Sequence, residues 1–512
     1  MSRILAVHNS HNASVCEINK EEIIYFQEAE RLDIKKRSSN WKILLHKYKD
    51  QTFDQFIFVH SSSDYPISKN TINDVLTQYN ISCSKIIYEI NHHFYHACSS
   101  FFNSGFKKSY VLILDGNGSY DHFDNNSCEI ASLYFFNKNK YKKIFKVYGS
   151  DEEYVHDNNY FINTMSLGNV YTTVKKLLNF KEEGSVMALS CYGKEDMNIK
   201  LFTKKFNHFK SIQQDLYAAG MPFMKTSSTS LSRLIQKRLE EVVLNYVTNI
   251  INGKKRNLCV SGGVFQNTVL NSKILEVCPT LYVDPCADDS GISLGAALWF
   301  MNKEKFIKRK IKTLFLGDTP DYKYLNLNDG FNATYDDVAK LICEGNIVAI
   351  YQGRNELGKR ALGNRSLLYD PRDTHAKEKI NLLKNREWFR PTAGTVLYEH
   401  AHEWFDLKSK NESEFMSYVF KVKDKQIPGV THVDNTCRIQ TLRKEQNYHY
   451  YNLIYAFYKL TKVPILVNTS FNLAGKPLVN SVKDAMDTLN NINNYEFKFT
   501  YFPEIGKIFI KK

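Results

Sequence analysis

Apolar positions in the first half of the chain alternate between short strands and helical stretches. Apolar runs over residues 4–7, 15–18, 23–26, 56–60 and 110–114 are bounded by polar turns, which is typical of strands. Another run at 257–260 ends in Ser261-Gly262-Gly263, and residues 230–251 show helical periodicity. Strands that alternate with helices and end in glycine-rich turns predict an α/β fold with ligands at the strand ends.

The pattern breaks between residues 303 and 330, where a basic segment precedes Gly317-Asp318-Thr319-Pro320. A helix over 336–344 and a strand over 347–350 restart the alternation, and 465–467 is a later strand. We therefore predict a domain over 1–305, a linker over 306–330 and a second α/β domain over 331–512.

Composition narrows the class of protein. The 512 residues are 43% hydrophobic and 24% charged, which is typical of globular chains. The sequence contains no run of roughly eighteen apolar residues, so it predicts no membrane-spanning helix. Its ten cysteines form no CxxC pair, and several lie in apolar surroundings. We expect reduced thiols in a cytoplasmic protein.

The net charge of +14 leaves two interpretations open. It fits a nucleic-acid partner such as DNA, and it equally fits a lysine-rich solvated surface. No single basic helix stands out, so we favour the second interpretation.

Two histidines and two aspartates have the character of metal ligands. His92 and His96 are four residues apart and would share one face of a helix. Asp115 ends a strand before two glycines, and Asp289 lies in a second Gly-containing turn. This donor set suits Fe(II), Mn(II) or Zn(II) better than calcium. The alternative is that both histidines are ordinary helix residues.

Glycine turns follow two of the predicted strands. Gly116 and Gly118 come after the strand at 110–114, and Gly262 and Gly263 come after the strand at 257–260. Glycine in such turns lets backbone N–H groups approach phosphate or ribose oxygens. With His11-Asn12-Ala13-Ser14 after the first strand, they suggest a nucleotide fold of the actin-like ATPase type. Neither a Walker A nor a Rossmann sequence is present.

Arginine is concentrated in one segment of the second domain. The chain has 15 Arg against 53 Lys, yet six arginines fall between residues 354 and 390. Guanidinium groups bind phosphate or carboxylate in a bidentate manner that ammonium groups cannot match. The segment therefore predicts an anion site for a small phosphorylated substrate, although some of the six could form structural ion pairs with Glu356, Asp370, Asp373 and Glu387. The six are Arg354, Arg360, Arg365, Arg372, Arg386 and Arg390.

Together these motifs resemble the NodU/CmcH-type O-carbamoyltransferase family. The resemblance covers nearly the whole chain and the motifs occur in family order. They are His11–Ser14, Asn91–Ala97, Leu114–Gly116, Glu183–Met187, Gly262–Val264, Asp289–Gly291, Leu294–Ala297, Gly353–Ser366, Arg386–Pro391, His432–Asp434, Thr436, Arg438, Gln440 and Asn468–Asn472. One departure is Lys359, which stands where the family has proline.

The resemblance implies a duplicated N-terminal α/β domain of the actin-like ATPase (ASKHA) class and a C-terminal YrdC-like α/β domain. It implies that carbamoyl phosphate and ATP, with Mg, form carbamoyl-adenylate in the second domain, and that an acceptor hydroxyl takes the carbamoyl group in the first domain beside iron. By this resemblance the metal ligands are His92, His96, Asp115 and Asp289, and the nucleotide contacts include Gly262, Gly263 and Asn267. The carbamoyl-phosphate and ATP site comprises Arg354, Arg360, Arg365, Arg390, Arg438, Asn468 and Ser470.

An alcohol that attacks at neutral pH needs a base, and His11 after the first strand is the candidate. His11 could equally be a hydrogen-bonding turn residue. We expect Arg360 and Arg390 to stabilise charge during catalysis. The expected acceptor is a small-molecule hydroxyl on a sugar or natural product. Alternatives are a hydroxymethylated base in DNA, threonylcarbamoylation of tRNA, and an actin-like kinase; a homodimer stays open.

Overall fold

The structure is a computed structural model that describes residues 3–61, 67–120, 127–150, 154–156, 159–162, 166–194, 227–492 and 497–511. The chain forms two compact units. The first comprises residues 1–29 and 37–311, and the second comprises residues 30–36 and 312–512.

A five-stranded sheet opens the first unit. Its strands are β1 (Ile4–His8), β2 (Ser14–Asn19), β3 (Glu22–Glu28), β4 (Thr52–Val59) and β5 (Ser82–Glu89). They are arranged in the order β3-β2-β1-β4-β5. β1 to β3 form antiparallel pairs, whereas β4 and β5 continue the sheet in parallel on the other side of β1. Every residue of β1 is buried, as expected for a central strand covered on both faces.

A second sheet repeats this pattern. Its strands are β6 (Lys108–Leu114), β7 (Cys128–Asn137), β8 (Lys140–Gly149), β9 (Tyr154–His156), β10 (Asn159–Ile162), β11 (Leu258–Ser261) and β12 (Leu281–Val283). Their order is β12-β11-β6-β7-β8-β10-β9. On one side of the central strand β6, β7 and then β8 follow in antiparallel pairs, and on the other side β11 and then β12 follow in parallel pairs. The repeated order confirms the predicted duplicated α/β fold of the actin-like class.

Two central helices pack together in this unit. The helices in the described residues up to 311 are α1 (Ala29–Asp33), α2 (Lys69–Gln78), α3 (His92–Asn103), α4 (Leu167–Leu177), α5 (Glu183–Ser190), α6 (Ser228–Ile251), α7 (Thr268–Val277) and α8 (Gly291–Asn302). α3 packs on β6, β7 and β11, α8 packs on β1, β2 and β4, and the two helices contact each other. Their crossing depends on Gly295, because a Cβ there would lie 1.8 Å from the carbonyl oxygen of Tyr95.

The second unit contains one ten-stranded sheet. Its strands are β13 (Phe331–Asn332), β14 (Ile347–Tyr351), β15 (Arg365–Tyr369), β16 (Ala393–Leu397), β17 (Phe405–Asp406), β18 (Val419–Val422), β19 (Thr436–Leu442), β20 (Ile465–Ser470), β21 (Phe497–Phe502) and β22 (Lys507–Ile510). They are arranged in the order β13-β22-β21-β14-β15-β20-β16-β19-β18-β17. The helices are α9 (Tyr335–Cys343), α10 (Ala376–Leu383), α11 (Ala401–Trp404), α12 (Tyr448–Thr461) and α13 (Val482–Asn491).

The strands and helices predicted from the apolar pattern are confirmed, with ends that differ by a few residues. The predicted strand at 56–60, for example, is the last part of β4 and ends at Val59. No disulfide links any of the ten cysteines, all of which lie in the described part of the chain. Among the described residues, no helix combines the length and the apolar character that crossing a membrane requires.

Candidate metal centre and anion site

Four predicted metal ligands converge in the first unit. His92 and His96 lie one turn apart in α3, Asp115 follows β6, and Asp289 precedes α8. One nitrogen or oxygen atom of each lies within 4.8 Å of the others, and all four residues are buried. His92 Nε2 is 3.1 Å from Asp115 Oδ2 and 3.2 Å from His96 Nε2. Asp289 Oδ1 is 3.5 Å from both of these imidazole nitrogens.

Neighbouring groups hold the outer atoms of this cluster. Ser261 Oγ lies 3.3 Å from His96 Nδ1 and donates to Asp284 Oδ2 at 3.1 Å. Asp115 Oδ1 accepts a hydrogen bond from the Gly263 backbone N–H at 3.1 Å. Contacts of this kind orient the ligands of metal sites. Both the donor set and its supports therefore fit a divalent transition metal.

Contacts within the cluster shift the pKa of His96 and of both buried carboxyls. Burial alone would lower the pKa of His96, but hydrogen bonds to Asp115 and Asp289 raise that pKa to about 10. Burial alone would raise the pKa of both carboxyls, yet the facing histidines hold each pKa below its ordinary value. A metal cation that bound these side chains would replace such protons.

Two further histidines lie next to this cluster. His11, the predicted base, has its Nε2 atom 3.0 Å from Asp289 Oδ2. The charge of Asp289 and this hydrogen bond raise the pKa of His11 to about 9. His8 was missed by the sequence analysis: its ring lies 6.4 Å from that of His92, and burial lowers its pKa to about 3. A histidine that ends an apolar strand carries no spacing signal, so the pattern alone did not reveal it.

Gly262 and Gly263 bring the end of β11 against the end of β6. Gly262 has a φ of +98°, and a Cβ there would lie 2.3 Å from the Leu114 carbonyl oxygen. A Cβ at Gly263 would lie 2.9 Å from Asp115 Oδ1. Only glycine permits this approach, so the two glycines build the turn that holds Asp115.

The other residues predicted to bind nucleotide are Gly116 and Gly118, in the turn after Asp115, and Asn267, at the N-terminus of a helix. The Gly116 backbone N–H donates to Asp115 Oδ1 at 2.7 Å, and Gly118 packs against Glu129. Asn267 caps α7 through a 3.0 Å hydrogen bond from the Leu270 backbone N–H. The structure thus gathers the four glycines around Asp115 and gives Asn267 a helix-capping contact.

Arginine guanidiniums gather in the second unit. Arg360 lies between β14 and β15, Arg386 and Arg390 lie between α10 and β16, and Arg438 lies on β19. The pKa of Arg438 is well below its usual range, first because burial penalises its charge and then because the other three guanidiniums add like charge. The Arg438 Nε atom is buried without a hydrogen-bond partner. The carboxylate of Glu387 is 4.0 Å from Arg390. Such an excess of positive charge is typical of an anion site.

Arg354 and Arg365 direct their donors elsewhere. Arg365 is fully buried, donates to backbone carbonyls of the loop 352–364, and lies 3.7 Å from the centre of the Tyr351 ring. Arg354 Nε donates to the Gly317 carbonyl at 2.9 Å. Buried carbonyls need donors, so both arginines shape the loop that carries Arg360.

Asn468 and Ser470 on β20 contact the same region. Asn468 Nδ2 donates to the Ala361 carbonyl at 3.2 Å, next to Arg360 in the chain. Ser470 contacts Lys384, whose ammonium donates to the carbonyls of Ser470 and Asn472, at 2.7 Å each. Lys384 is buried and was missed because one lysine among 53 carries no sequence signal.

A separate concavity of about 370 Å³ in this unit includes Tyr369, Arg372 and Lys379 in its lining. Arg372 forms a bidentate pair with Asp370, and Lys379 lies 3.3 Å from Asp373. The cations of this concavity are thus balanced by carboxylates.

Comparison with known proteins identifies the protein family that this chain matches. Residues 45–298 match the family model of the carbamoyltransferase N-terminus, and residues 339–498 match that of the carbamoyltransferase C-terminus. The protein MJ1051 of Methanocaldococcus jannaschii is 31% identical, over 95% of this chain and 96% of its own length. The nodulation protein NolO of Bradyrhizobium diazoefficiens is 32% identical, over 78% of this chain and 76% of its own.

The nodulation protein NolNO of Sinorhizobium fredii is 34% identical over 78% of this chain, which spans 61% of that relative. Among solved structures, full-length HypF in its phosphate- and nucleotide-bound form aligns over 58% of this chain and 55% of its own, with 16% identity and a TM-score of 0.41. The chain is a transferase enzyme. It belongs to the NodU/CmcH-type carbamoyltransferase family.

Proposed function

We propose that the protein is an O-carbamoyltransferase that divides its reaction between its two units. The second unit, in the role of a YrdC-like domain, makes carbamoyl-adenylate from carbamoyl phosphate and ATP. The first unit transfers the carbamoyl group to an acceptor hydroxyl. The observation that carries this proposal is the excess positive charge around Arg438 in one unit, together with a separate metal-type centre in the other.

The first step requires strong binding of phosphate. Net consumption of one carbamoyl phosphate, one ATP and one water gives carbamoyl-adenylate, phosphate and pyrophosphate. Arg360, Arg390 and Arg438 would bind the anionic oxygens and stabilise charge as it develops. Arg354 and Arg365 would hold the loop that carries Arg360, since their donors bind its carbonyls or those of its neighbours. Mg would accompany ATP, as it does in most nucleotide sites.

The second step requires an activated hydroxyl and a polarised carbonyl. His92, His96, Asp115 and Asp289 would hold Fe(II) or another divalent ion, which supplies Lewis-acid polarisation. As the acceptor oxygen bonds to the carbamoyl carbon, AMP leaves and His11 takes the hydroxyl proton. His11 can act as this base only while a cation engages Asp289, because the free Asp289 charge keeps the pKa of His11 at about 9.

The test is mass spectrometry of reactions that contain the full chain, carbamoyl phosphate, ATP, Mg and Fe(II), with a panel of sugar and natural-product alcohols. We expect carbamoyl-adenylate in every reaction and a mass gain of one carbamoyl group on the true acceptor. Absence of any adenylate that depends on both substrates would contradict the proposal.

The net charge of +14 supports a second acceptor, a hydroxymethylated base in DNA. Binding to a polyanion through lysines weakens steeply as salt rises, because counterions are released on binding. Carbamoyl transfer to hydroxymethylated duplex DNA that falls steeply with salt would favour this acceptor. Failure to bind DNA at low salt would remove it. Threonine-dependent ATP consumption would instead indicate tRNA threonylcarbamoylation.

A further inference from the structure

The first turn of α3 is capped by residues from another segment. Asn91 precedes the helix but makes no capping hydrogen bond through its side chain. The His92 backbone N–H donates to the Ile90 carbonyl at 3.0 Å and is shared with Ser119 Oγ at 3.3 Å. The His93 backbone N–H donates to Glu129 Oε2 at 3.1 Å. Two orphan donors of the helix are thus satisfied from outside it.

Ser119 and Glu129 also fix the turn that follows Asp115. The Glu129 backbone N–H donates to the Ser119 carbonyl at 3.0 Å, and the Gly118 N–H donates to the Glu129 carbonyl at 2.7 Å. The Ser119 N–H points at Glu129 Oε2 at 3.4 Å. A Cβ at Gly118 would lie 2.7 Å from that same oxygen, so the turn closes tightly on the carboxylate.

Lys146 keeps the Glu129 carboxylate charged inside the protein. Glu129 and Lys146 are both buried and form an ion pair between β7 and β8. Burial would raise the pKa of Glu129, but Lys146 and His93 lower it to about 2. A carboxylate at a helix N-terminus is also favoured by the helix dipole. Glu129 is therefore a fixed anion held between a strand, a turn and a helix.

We propose that Ser119 and Glu129 are positioning residues of the metal centre, which fix the first turn of α3 against the turn after Asp115 and so set the spacing between His92 Nε2 and Asp115 Oδ2. This inference rests on the proposed metal centre. Neither residue offers an atom to the four-ligand cluster, so they act through the backbone that carries its ligands.

Two double variants of the full chain distinguish the effect of the hydrogen bond to residue 129 from the effect of the buried charge. Both E129A/K146M and E129Q/K146M remove the buried ion pair, but only the glutamine keeps an oxygen that can accept from the His93 N–H. R3M/E17Q is the matched control, because Arg3 and Glu17 form a 2.8 Å ion pair with a buried carboxylate in the other sheet of this unit. The measurement is titration with Co(II), followed by its d–d absorption, well below the unfolding temperature.

We expect E129A/K146M to bind Co(II) about 10- to 100-fold more weakly than the native chain, the range seen when outer-sphere partners of metal ligands are removed. E129Q/K146M and R3M/E17Q should bind within about threefold of the native affinity, and both should keep the native spectrum. Equal affinity in the alanine and glutamine variants would overturn the inference. If the native chain itself binds no Co(II), the proposed metal centre fails instead.

Ser119→Ala provides a second test if E129A/K146M does not fold, because it removes only one hydroxyl. We expect it to weaken Co(II) binding by about tenfold and to shift the d–d bands. Native affinity with a native spectrum in Ser119→Ala would contradict the role of Ser119.

Discussion

At the scale of single residues, both sites concentrate charge that burial alone would disfavour. Asp115 and Asp289 lie buried on the same pair of imidazoles, and Arg438 is partly buried among three other arginines. Such concentrations of buried charge cluster at functional sites. Under the proposed function, a metal cation would bind the cluster in the first unit and a phosphate anion would bind the cluster in the second.

The protonation of His96 predicts how stability of the metal-free protein depends on pH. Its folded pKa, about 10, is above the ordinary value of 6.5, so its contribution to stability is complete below pH 6.5 and is lost as pH rises toward 10. Urea unfolding of chelator-treated protein should show this loss, and saturating Co(II) should reduce it because the metal replaces the proton. A metal-free stability that does not fall between pH 7 and 10 would contradict this assignment.

Replacement of Arg438 predicts a gain in stability and a loss of anion binding. Arg438→Met should raise the free energy of unfolding by roughly 0.5–2 kcal/mol, because it removes a guanidinium from among like charges. The same variant should lose the thermal stabilisation that inorganic phosphate gives the native chain.

Arg443→Met is the matched control, because Arg443 lies on the same unit with Glu412 as a carboxylate partner at 3.4 Å. It should keep the phosphate response and gain no stability. A destabilised Arg438→Met that still responds fully to phosphate would show that Arg438 is structural.

At the scale of elements, strand ends and one helix crossing assemble the metal centre. Asp115 follows the central strand of the second sheet. Asp289 lies just before α8, and α8 packs on the first sheet. The crossing of α3 and α8 at Gly295 therefore sets how closely His92 and His96 approach Asp289.

Substitution at this crossing predicts loss of both stability and metal binding. Gly295→Ala places a methyl group against the Tyr95 carbonyl and should cost about 1–3 kcal/mol or more, since the helices must move apart. Co(II) affinity measured by titration should fall as well.

Gly253→Ala is the control, because its added methyl group meets no atom within 4 Å and its φ of +66° should cost only about 1–2 kcal/mol. Co(II) affinity should be native in this control. Native affinity in Gly295→Ala would show that the crossing does not position the ligands.

The positions of the strands and helices were largely predictable from the sequence. The contacts between distant segments that hold the site residues in place were not. β1, β6, β11 and α6 carry continuous apolar or helical patterns, so local burial determines them. The proximity of His92 to His96 was also predictable, since it needs only helical spacing. The capping of α3 by Ser119 and Glu129 depends on contacts between distant segments, which no local pattern encodes. The direction of the Arg365 guanidinium was hidden for the same reason.

At the scale of the whole molecule, the proposed function assigns one step of the reaction to each unit. Both family models are matched in order along the chain, and each unit has its own cluster of charged side chains. Segment 30–36 groups with the second unit although it lies early in the sequence, an arrangement that the predicted boundaries at 305 and 331 did not anticipate. A division of labour between units requires that each site can be disabled separately.

The most direct test measures carbamoyl-adenylate formation and carbamoyl transfer separately in His92→Ala and Arg360→Ala. Each variant is incubated with carbamoyl phosphate, ATP, Mg, Fe(II) and an alcohol that the native chain carbamoylates, and each is then supplied with preformed carbamoyl-adenylate. We expect that His92→Ala forms the adenylate but transfers nothing, whereas Arg360→Ala forms no adenylate yet transfers the carbamoyl group from the supplied adenylate. Loss of the same step in both variants would contradict the division of the reaction between two sites.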